Sequence, residues 1–321
     1  MAAVGGRFPY SWGLFSHSKI KSVFFCIFVG MKRYILAATI AIMLLPLSAL
    51  AQIKIWDGTS CGAKQVTLTE YLPEGTPRAA IIICPGGSYH WLDNKEEGTM
   101  VAQALASEGY VAYVLRYRVA GKFELVSKYR SVLRGNRHPD MISDLQRSIQ
   151  LVRTRFSGPV GIIGFASGGH LALMGAELFG TNFLEKYNLK PAVSLRPDFV
   201  AAIYPVVTLS DERYVHKRSR LGILGERNTG KKVLKDSLSM EKHVRPDMPP
   251  VFVLNCLDDN IVDPHNSMLL DSALSAAHVP HHYVQYPTGG HGFGQDPERM
   301  SEETTSNWMV EFLTWLKNMS F

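Results

Sequence analysis

Residues 160–178 read VGIIGFASGGHLALMGAEL, in which one apolar run meets a second apolar segment across a turn that contains glycine and serine. The first run is short and contains β-branched residues, which predicts a buried strand over residues 160–165. The segment after the turn predicts a helix over residues 169–178. A buried strand followed directly by a helix is the repeating unit of a parallel sheet covered by helices, so this stretch predicts an α/β fold.

The same alternation of short apolar runs and helical segments continues along the chain from Gln52. Ile142, Leu145, Ile149 and Val152 recur at helical spacing and form one apolar stripe, as on a helix that packs against a sheet. We therefore predict a mostly parallel, doubly wound sheet in a single domain over residues 52–321, with a charged, irregular excursion over residues 211–246. The other predicted strands are 79–84, 111–115, 199–204, 251–255 and 282–286, and the other predicted helices are 96–107, 266–277 and 302–316.

The amino-terminal residues account for the basic charge of the chain. The 321 residues have a formal net charge of +6, but residues 1–51 hold five basic residues and no acidic residue, which leaves 29 basic and 28 acidic residues in the remainder. From Met31 the chain reads MKRYILAATIAIMLLPLSALAQ, with a basic start, an apolar run and an Ala-Leu-Ala site. This pattern predicts a start at Met31, an upstream extension over residues 1–30, and a signal peptide cleaved after Ala51. We expect a secreted or periplasmic protein without a stable membrane anchor, and its near-neutral remainder does not predict a nucleic-acid partner.

Four loops that follow predicted strands carry the residues suited to chemistry, and ligands of such sheets bind at the carboxyl ends of the strands. The loops are PGGSYH at 85–90, ASGGH at 166–170, LDDNIV at 257–262 and PTGGHGFG at 287–294. Paired glycines let backbone N–H groups point at a developing oxyanion. A Ser, an Asp and a His at successive strand ends follow the chain order of an α/β-hydrolase triad, with Ser167 as nucleophile, Asp259 as orienting acid and His291 as base.

The ordered motifs resemble those of the secreted carbohydrate esterases of the α/β-hydrolase fold, the acetylxylan and feruloyl esterase-like group. The resemblance covers nearly all of residues 54–319 and rests on IWDG at 55–58, CPGGSYHWLDNKEEGTMVAQAL at 84–105, GFASGGHLA at 164–172, MPPVFVLNCLDDNIVDPHNS at 248–267 and YPTGGHGFG at 286–294. It implies a three-layer α/β/α sandwich. It also implies deacylation, chiefly deacetylation, of a plant-type polysaccharide or oligosaccharide ester, without a cofactor.

The resemblance also implies roles for single residues. His291 resembles the general base and Asp259 its carboxylate partner, with Asp258 as the alternative carboxylate. The backbone around Gly87 and Ser88 resembles one half of an oxyanion hole. The other half is expected to be the Ser167 N–H at the elbow. We expect Tyr89, Trp91 and His138 to contact the substrate, with core packing as the alternative for the two aromatic residues.

The elbow departs from the family pattern Gly-Phe-Ser-x-Gly-Gly-His, because Ala166 stands where the family has serine. The positions two before and two after the apex must be small. Gly164 and Gly168 meet this demand if Ala166 is the apex, whereas Ser167 at the apex would place Phe165 in a crowded position. The spacing therefore favours Ala166. Two mechanisms stay open: a one-residue slip that brings Ser167 to His291, or a water activated by His291 and Asp259 without an acyl-enzyme.

Three functions follow as alternatives. The chain is an active esterase that uses Ser167, an impaired homologue that binds an acylated sugar or another small ligand, or a secreted serine peptidase of the same fold. No Cys or His spacing indicates zinc, so no metal site is predicted. Cys61, Cys84 and Cys256 are expected to act as small buried hydrophobic residues, and their pairing does not follow from the sequence.

Overall fold

Strands and helices alternate along the chain in the computed structural model, which describes residues 51–126, 135–301 and 305–319. One sheet runs in the order β1-β2-β4-β3-β5-β6-β7-β8. Its strands are β1 (Gln52–Lys54), β2 (Thr67–Tyr71), β3 (Ala80–Cys84), β4 (Val111–Arg116), β5 (Val160–Phe165), β6 (Val200–Ile203), β7 (Val251–Cys256) and β8 (His281–Tyr286). β2 pairs antiparallel with both β1 and β4, and every other pairing is parallel. The predicted, mostly parallel sheet is confirmed.

Helices cover both faces of this sheet. In the described residues they are α1 (Met100–Ser107), α2 (Lys122–Val126), α3 (Asp140–Arg155), α4 (Ser167–Glu177), α5 (Lys217–Leu224), α6 (Lys232–Ser237), α7 (His265–Ala276) and α8 (Trp308–Lys317). Side chains of β3 alternate between two apolar layers, because successive residues of a strand face opposite ways. Ile82 packs in the layer that contains residues of α3, α4 and α7, and Ile81 and Ile83 pack in the layer that contains residues of α1 and α8. The three-layer α/β/α sandwich is therefore confirmed.

The predicted strands agree with the structure to within one residue at each end. The stripe of Ile142, Leu145, Ile149 and Val152 lies on α3, and all four side chains are fully buried. The predicted helix over 96–107 begins instead with a π-helical turn over Lys95–Thr99, and α1 starts at Met100. Strands β1 and β2 are additions to the prediction. They lie at the antiparallel edge of the sheet, where a polar segment such as TLTEY lacks the continuous apolar run of a central strand.

The excursion over residues 211–246 contains the short helices α5 and α6. Part of it reaches the carboxyl ends of the parallel strands, where His216 and Ser219 lie in the same cleft as Ala166. Cys61, Cys84 and Cys256 are free thiols, and all three are buried. Burial raises the pKa of the Cys256 thiol to about 12, so the thiol stays protonated and packs as a small apolar group.

The predicted leader falls outside the described residues except for Ala51. Within residues 51–126, 135–301 and 305–319, no helix is both long enough and apolar enough to cross a bilayer. The start at Met31 and the cleavage after Ala51 stay predictions.

Candidate active site

Ala166 lies at the tip of the turn between β5 and α4, with φ 49° and ψ −114°. This conformation is unfavourable for a residue with a side chain and costs about 1–3 kcal/mol. Two glycines make the turn possible, because a Cβ on Gly164 would lie 2.1 Å from the Gly168 oxygen and a Cβ on Gly168 would lie 2.0 Å from the Cys84 oxygen. The turn therefore has the form of a nucleophile elbow with alanine at its apex.

Ser167 is the first residue of α4 and is fully buried. Its Oγ accepts a hydrogen bond from the Tyr89 N–H at 3.3 Å. Burial raises the pKa of the Tyr117 phenol well above its ordinary value, and a hydrogen bond with Ser167 acts in the opposite direction. Ala166, and not Ser167, holds the strained apical conformation of the turn. The hydroxyl of Ser167 thus forms a hydrogen bond with the backbone of the loop that follows β3.

That loop carries the predicted oxyanion donors. Gly87 has φ 125°, and a Cβ there would lie 2.2 Å from the Trp91 oxygen, so only glycine fits. The Gly87 carbonyl accepts the N–H groups of His90 and Trp91 at 3.0 and 3.1 Å. Within the described parts of the chain, no hydrogen bond uses the N–H of Gly87, Ser88 or Ser167. Gly87 and Ser88 line the same cleft as Ala166, so the structure brings two predicted donor residues to the elbow.

Asp259 and His291 form a close pair beside the elbow. His291 Nδ1 lies 2.6 Å from Asp259 Oδ2, and Asp259 Oδ1 accepts the N–H groups of Ile261 and Val262 at 2.9 and 3.0 Å. The Asp259 side chain is 1% exposed and that of His291 is 12% exposed. Three hydrogen bonds hold the carboxylate in place. With Nδ1 engaged, Nε2 is the imidazole nitrogen left to take a proton, as a general base requires.

Asp258 has a different role from its neighbour. It is exposed, and its two carboxylate oxygens accept the N–H groups of Gly289 and Gly290 at 3.2 and 2.8 Å. Both glycines precede His291 in the loop after β8. Asp258 thus holds the backbone of the histidine loop, while Asp259 contacts the imidazole itself.

Glu97 and Tyr204 form a buried network that was not predicted as part of the site. The Tyr204 hydroxyl donates to Glu97 Oε1 at 2.9 Å and accepts the Gly294 N–H at 3.0 Å, while Glu97 Oε2 accepts the Gly86 N–H at 2.7 Å. Burial raises the pKa of Glu97, and the electrostatic interaction with His291 opposes that rise. The Tyr204 ring lies 4.6 Å from the His291 ring, centroid to centroid. Tyr204 directly follows β6, so its position at a strand end is the signal that could have identified it.

A cleft of about 230 Å³ opens above the elbow. Its walls include Ala166, His291, Glu97, Trp91 and Asp93. Burial and a hydrogen bond with the neighbouring Glu96 raise the pKa of Asp93 to about 7. Asp93 therefore adds a titrating carboxyl group to a cleft that already holds the buried Glu97.

The excursion over 211–246 supplies one wall of the cleft through His216, Arg218 and Ser219. The charged composition of this segment predicted an irregular loop and no site residue. Burial lowers the pKa of His216 to about 4, and His291 adds to the lowering, so His216 is neutral at pH 7. Its Nδ1 lies 2.8 Å from Ser219 Oγ.

Two of the three predicted substrate contacts lie elsewhere. Tyr89 is fully buried, and its hydroxyl lies 2.8 Å from His170 Nδ1, because the positive φ of Ser88 and Tyr89 turns the chain inward after Gly87. His138 packs edge-on against Phe183, and burial lowers its pKa to about 4. Neither residue is among those that line the cleft, whereas Trp91 is. Tyr89 is thus buried in the interior and His138 is half-buried against Phe183, and a substrate contact of either residue stays a prediction.

The assembled groups are those of an acyl-transfer site with one part exchanged. A base paired to a carboxylate and backbone N–H groups surround the apex of an elbow, as the hydrolysis of an ester requires. The apical side chain is a methyl group, which cannot attack a carbonyl. The geometry can bind a carbonyl compound and accept a proton, but an attacking oxygen has to come from outside the protein.

Comparisons with known proteins agree with this geometry. The family model described as BD-FAE matches residues 68–274. The chain is 29% identical over 232 residues to an acetylxylan esterase of Xylanibacter ruminicola. This alignment covers 70% of this chain and 43% of that protein. The chain is also 28% identical over 222 residues to endo-1,4-beta-xylanase B of Butyrivibrio fibrisolvens, over 67% of this chain and 32% of that protein. The chain thus spans less than half the length of these two curated relatives.

Solved structures show the same fold. The acetyl ester-xyloside bifunctional hydrolase of Caldicellulosiruptor lactoaceticus superposes with a TM-score of 0.69 at 28% identity, over 83% of this chain and 95% of that one. The carboxylesterase Cest-2923 of Lactobacillus plantarum superposes with a TM-score of 0.60 at 21% identity, over 78% and 91% of the two chains. Because the matching family model spans more than half of its residues, this chain belongs to the BD-FAE family of α/β-hydrolase carbohydrate esterases.

Proposed function

We propose that this protein binds an acylated, xylan-type carbohydrate in the cleft above Ala166, as a family member that lacks the serine nucleophile. The observation that carries the proposal is the alanine at the apex of a strained elbow whose other parts are in place. Binding needs the cleft, the N–H donors and the shape of the site, all of which are present. Covalent catalysis also needs an apical hydroxyl, and there is none at this position.

The substrate class is proposed from the relatives. Two of them carry the names acetylxylan esterase and endo-1,4-beta-xylanase, and the most similar fold described above is that of an acetyl ester-xyloside hydrolase. The cleft supports a sugar ester through Trp91, whose indole can pack against a sugar ring and has the Arg218 guanidinium 5.9 Å from its centroid, and through N–H donors that suit an ester carbonyl.

The retained pair of His291 and Asp259 supports a second activity, slow hydrolysis of the bound ester by water. In this reaction His291 Nε2 takes a proton from water, and the hydroxide attacks the carbonyl carbon. The backbone N–H groups then stabilise the oxyanion. Collapse of the tetrahedral intermediate breaks the bond to the sugar oxygen, which takes the proton from His291, so that a carboxylic acid and a free sugar hydroxyl leave. Without an acyl-enzyme this route is much slower than serine catalysis.

Three variants test the proposal against hydrolysis by Ser167. Acetyl ester hydrolysis is measured for the wild type, Ala166→Ser and Ser167→Ala, with p-nitrophenyl acetate and acetylated xylooligosaccharide as substrates. We expect Ala166→Ser to raise kcat by at least about 100-fold, because the new hydroxyl lies at the apex beside His291. Ser167→Ala should leave the wild-type rate within a few-fold. Substantial wild-type turnover that Ser167→Ala abolishes would instead show that Ser167 is the nucleophile.

Direct binding completes the test. Calorimetric titration of the wild type with acetylated and with deacetylated xylooligosaccharide should show tighter binding of the acetylated ligand, because only its ester carbonyl meets the N–H groups of the elbow. Equal affinities for the two ligands would show that the cleft does not recognise the acetyl ester. For a peptidase, the third alternative, the Ala166→Ser variant would instead cleave peptide substrates.

Export by the leader before Gln52 is part of the proposal. Sequencing of the amino terminus of the protein recovered from the culture fluid or periplasm should begin at Gln52. A mature chain that still carries residues 31–51 would contradict the predicted cleavage.

A further inference from the structure

A second cavity, of about 320 Å³, lies next to the cleft. Trp91 lines both cavities and is therefore part of a shared wall. We name the second cavity the Trp91 groove, with Gln65, Asn94, Arg116 and Arg118 among its lining residues. The cleft alone, at about 230 Å³, is below the ~300–1,000 Å³ typical of small-molecule sites. Cleft and groove together are within that range, which suggests that one ligand extends across Trp91.

The inner wall of the groove is held rigidly. Arg118 donates to the buried carboxylate of Asp144 through its backbone N–H at 2.8 Å and through its guanidinium at 2.8 to 3.0 Å. Trp56 Nε1 donates to the same carboxylate at 2.7 Å. The Arg118 side chain is only 7% exposed, so its position does not depend on a ligand. A pre-formed wall of this kind lowers the entropic cost of binding.

The outer rim of the groove offers polar groups that are free to bind. Gln65, Asn94 and Arg116 are exposed, and in the described parts of the chain their side chains have no hydrogen-bond or ion-pair partner. Amide side chains both donate and accept hydrogen bonds, which suits the hydroxyl groups of a sugar. The groove lining includes no carboxylate, in contrast to the cleft with its Asp93 and Glu97. An aromatic residue beside free amides, with the Arg116 guanidinium as a further donor, suits the hydroxyl groups of a carbohydrate.

We infer that the Trp91 groove is a binding site for the sugar units next to the acylated one, so that the ligand is an oligosaccharide or polysaccharide chain which crosses Trp91. This inference rests on the proposed function for the identity of the acylated sugar. The groove itself is expected to bind unmodified xylose units through Gln65 and Asn94.

The affinity of the protein for ligands of different length tests the inference. Isothermal titration calorimetry compares monoacetylated methyl β-xyloside, monoacetylated xylotetraose and unmodified xylotetraose, with NMR to verify that the ester stays intact. We expect acetylated xylotetraose to bind at least about tenfold more tightly than the acetylated xyloside. The Gln65→Ala/Asn94→Ala double variant should lose most of this gain and keep the affinity for the short ligand. Lys64→Ala, at the exposed neighbour of Gln65 that does not line the groove, is the control and should behave as the wild type.

Each outcome decides the question. Equal affinities for the short and the long acetylated ligands would overturn the inference that the Trp91 groove binds sugar, and would leave the proposed function intact. A second outcome is that the acetylated xyloside does not bind, but unmodified xylotetraose binds and the double variant removes that binding. This outcome would support sugar binding in the Trp91 groove and contradict ester binding in the cleft. If no ligand binds, or if the double variant keeps the full gain from length, the groove is overturned.

Discussion

The Tyr204 hydroxyl donates to Glu97 at 2.9 Å and so links two loops that carry opposite halves of the site. Glu97 accepts the Gly86 N–H of the diglycine loop, and Tyr204 accepts the Gly294 N–H of the histidine loop. Both side chains are buried, so these hydrogen bonds are not exchanged with water. This contact therefore helps to set the spacing between the oxyanion donors and His291, together with the hydrogen bond from the Gln295 N–H to the Glu96 carbonyl at 3.1 Å.

Tyr204→Phe is expected to destabilise the fold. It leaves Glu97 Oε1 and the Gly294 N–H without a partner in the interior, which costs about 1–3 kcal/mol. Urea unfolding measures the change. The control is Tyr286→Phe, which removes a similar tyrosine–glutamate hydrogen bond of 2.7 Å to Glu311 at a part-buried position. An equal loss in both variants would argue against a special role for the buried link.

Asp259→Asn, placed in the Ala166→Ser background, is expected to lower the restored esterase kcat by about 1,000-fold or more, because the imidazole loses its orienting charge. Asp258→Asn in the same background is the matched control, since Asp258 accepts the N–H groups of Gly289 and Gly290 and does not contact the imidazole in the described part of the chain. We expect a loss below about tenfold there. Steady-state kinetics with p-nitrophenyl acetate check both values, and a larger effect at Asp258 would reverse the assignment of the pair.

Gly168→Ala is expected to cost at least about 3 kcal/mol, or to prevent folding, because the new Cβ meets the Cys84 backbone and cannot be accommodated by a side-chain movement. Gly180→Ala offers a control with open space around the new methyl group. That change should be neutral or stabilise by up to about 1 kcal/mol. Thermal unfolding followed by circular dichroism compares the two, and similar melting temperatures would show that the elbow is more adaptable than its contacts indicate.

Glu177→Gln is expected to raise stability above about pH 5. Burial raises the pKa of Glu177 well above its ordinary value, and neighbouring Glu241 adds to the rise. With the folded-state pKa above the unfolded-state pKa, the contribution of Glu177 is fully present below the unfolded pKa and is lost as the pH rises. The loss has a slope of up to about 1.4 kcal/mol per pH unit. The glutamine variant lacks this slope.

Chemical denaturation at pH 4, 6 and 8 measures the effect of Glu177→Gln. The gain over the wild type should grow with pH and vanish near pH 4. Glu185→Gln, at an exposed carboxyl group, is the control, and its difference from the wild type should stay constant over this range. A constant difference for Glu177→Gln as well would contradict the raised pKa.

The central strands could be predicted because both of their faces are buried, so that β-branched residues run without interruption, as in Ile81, Ile82 and Ile83. Strands β1 and β2 could not, since edge strands keep polar residues on their open side. The position of Ala166 at the apex could be predicted from the two flanking glycines. It depends on backbone contacts within the turn and on two neighbouring strands, since Gly168 packs against Cys84 of β3 and the Ala166 N–H donates to the Ile203 carbonyl of β6 at 3.0 Å.

The walls of the cleft were harder to predict because they depend on where loops turn. Tyr89 follows the diglycine turn as Trp91 does, yet the backbone rotates at Ser88 and Tyr89 and sends the first ring into the core and the second into the cleft. His216 and Arg218 reach the cleft only because the excursion folds back over the strand ends. Contacts of this kind join residues far apart in the chain and leave no local pattern.

The strain at Ala166 is maintained by the packing of Gly164 and Gly168 and not by any chemistry at the apex. The scaffold therefore keeps the backbone of a working elbow ready although no hydroxyl uses it. Every alanine codon differs from a serine codon by a single base at the first position. If the proposed function holds, one point mutation in the gene separates a protein that binds its ligand from one that cleaves it, and the surrounding backbone needs no rebuilding.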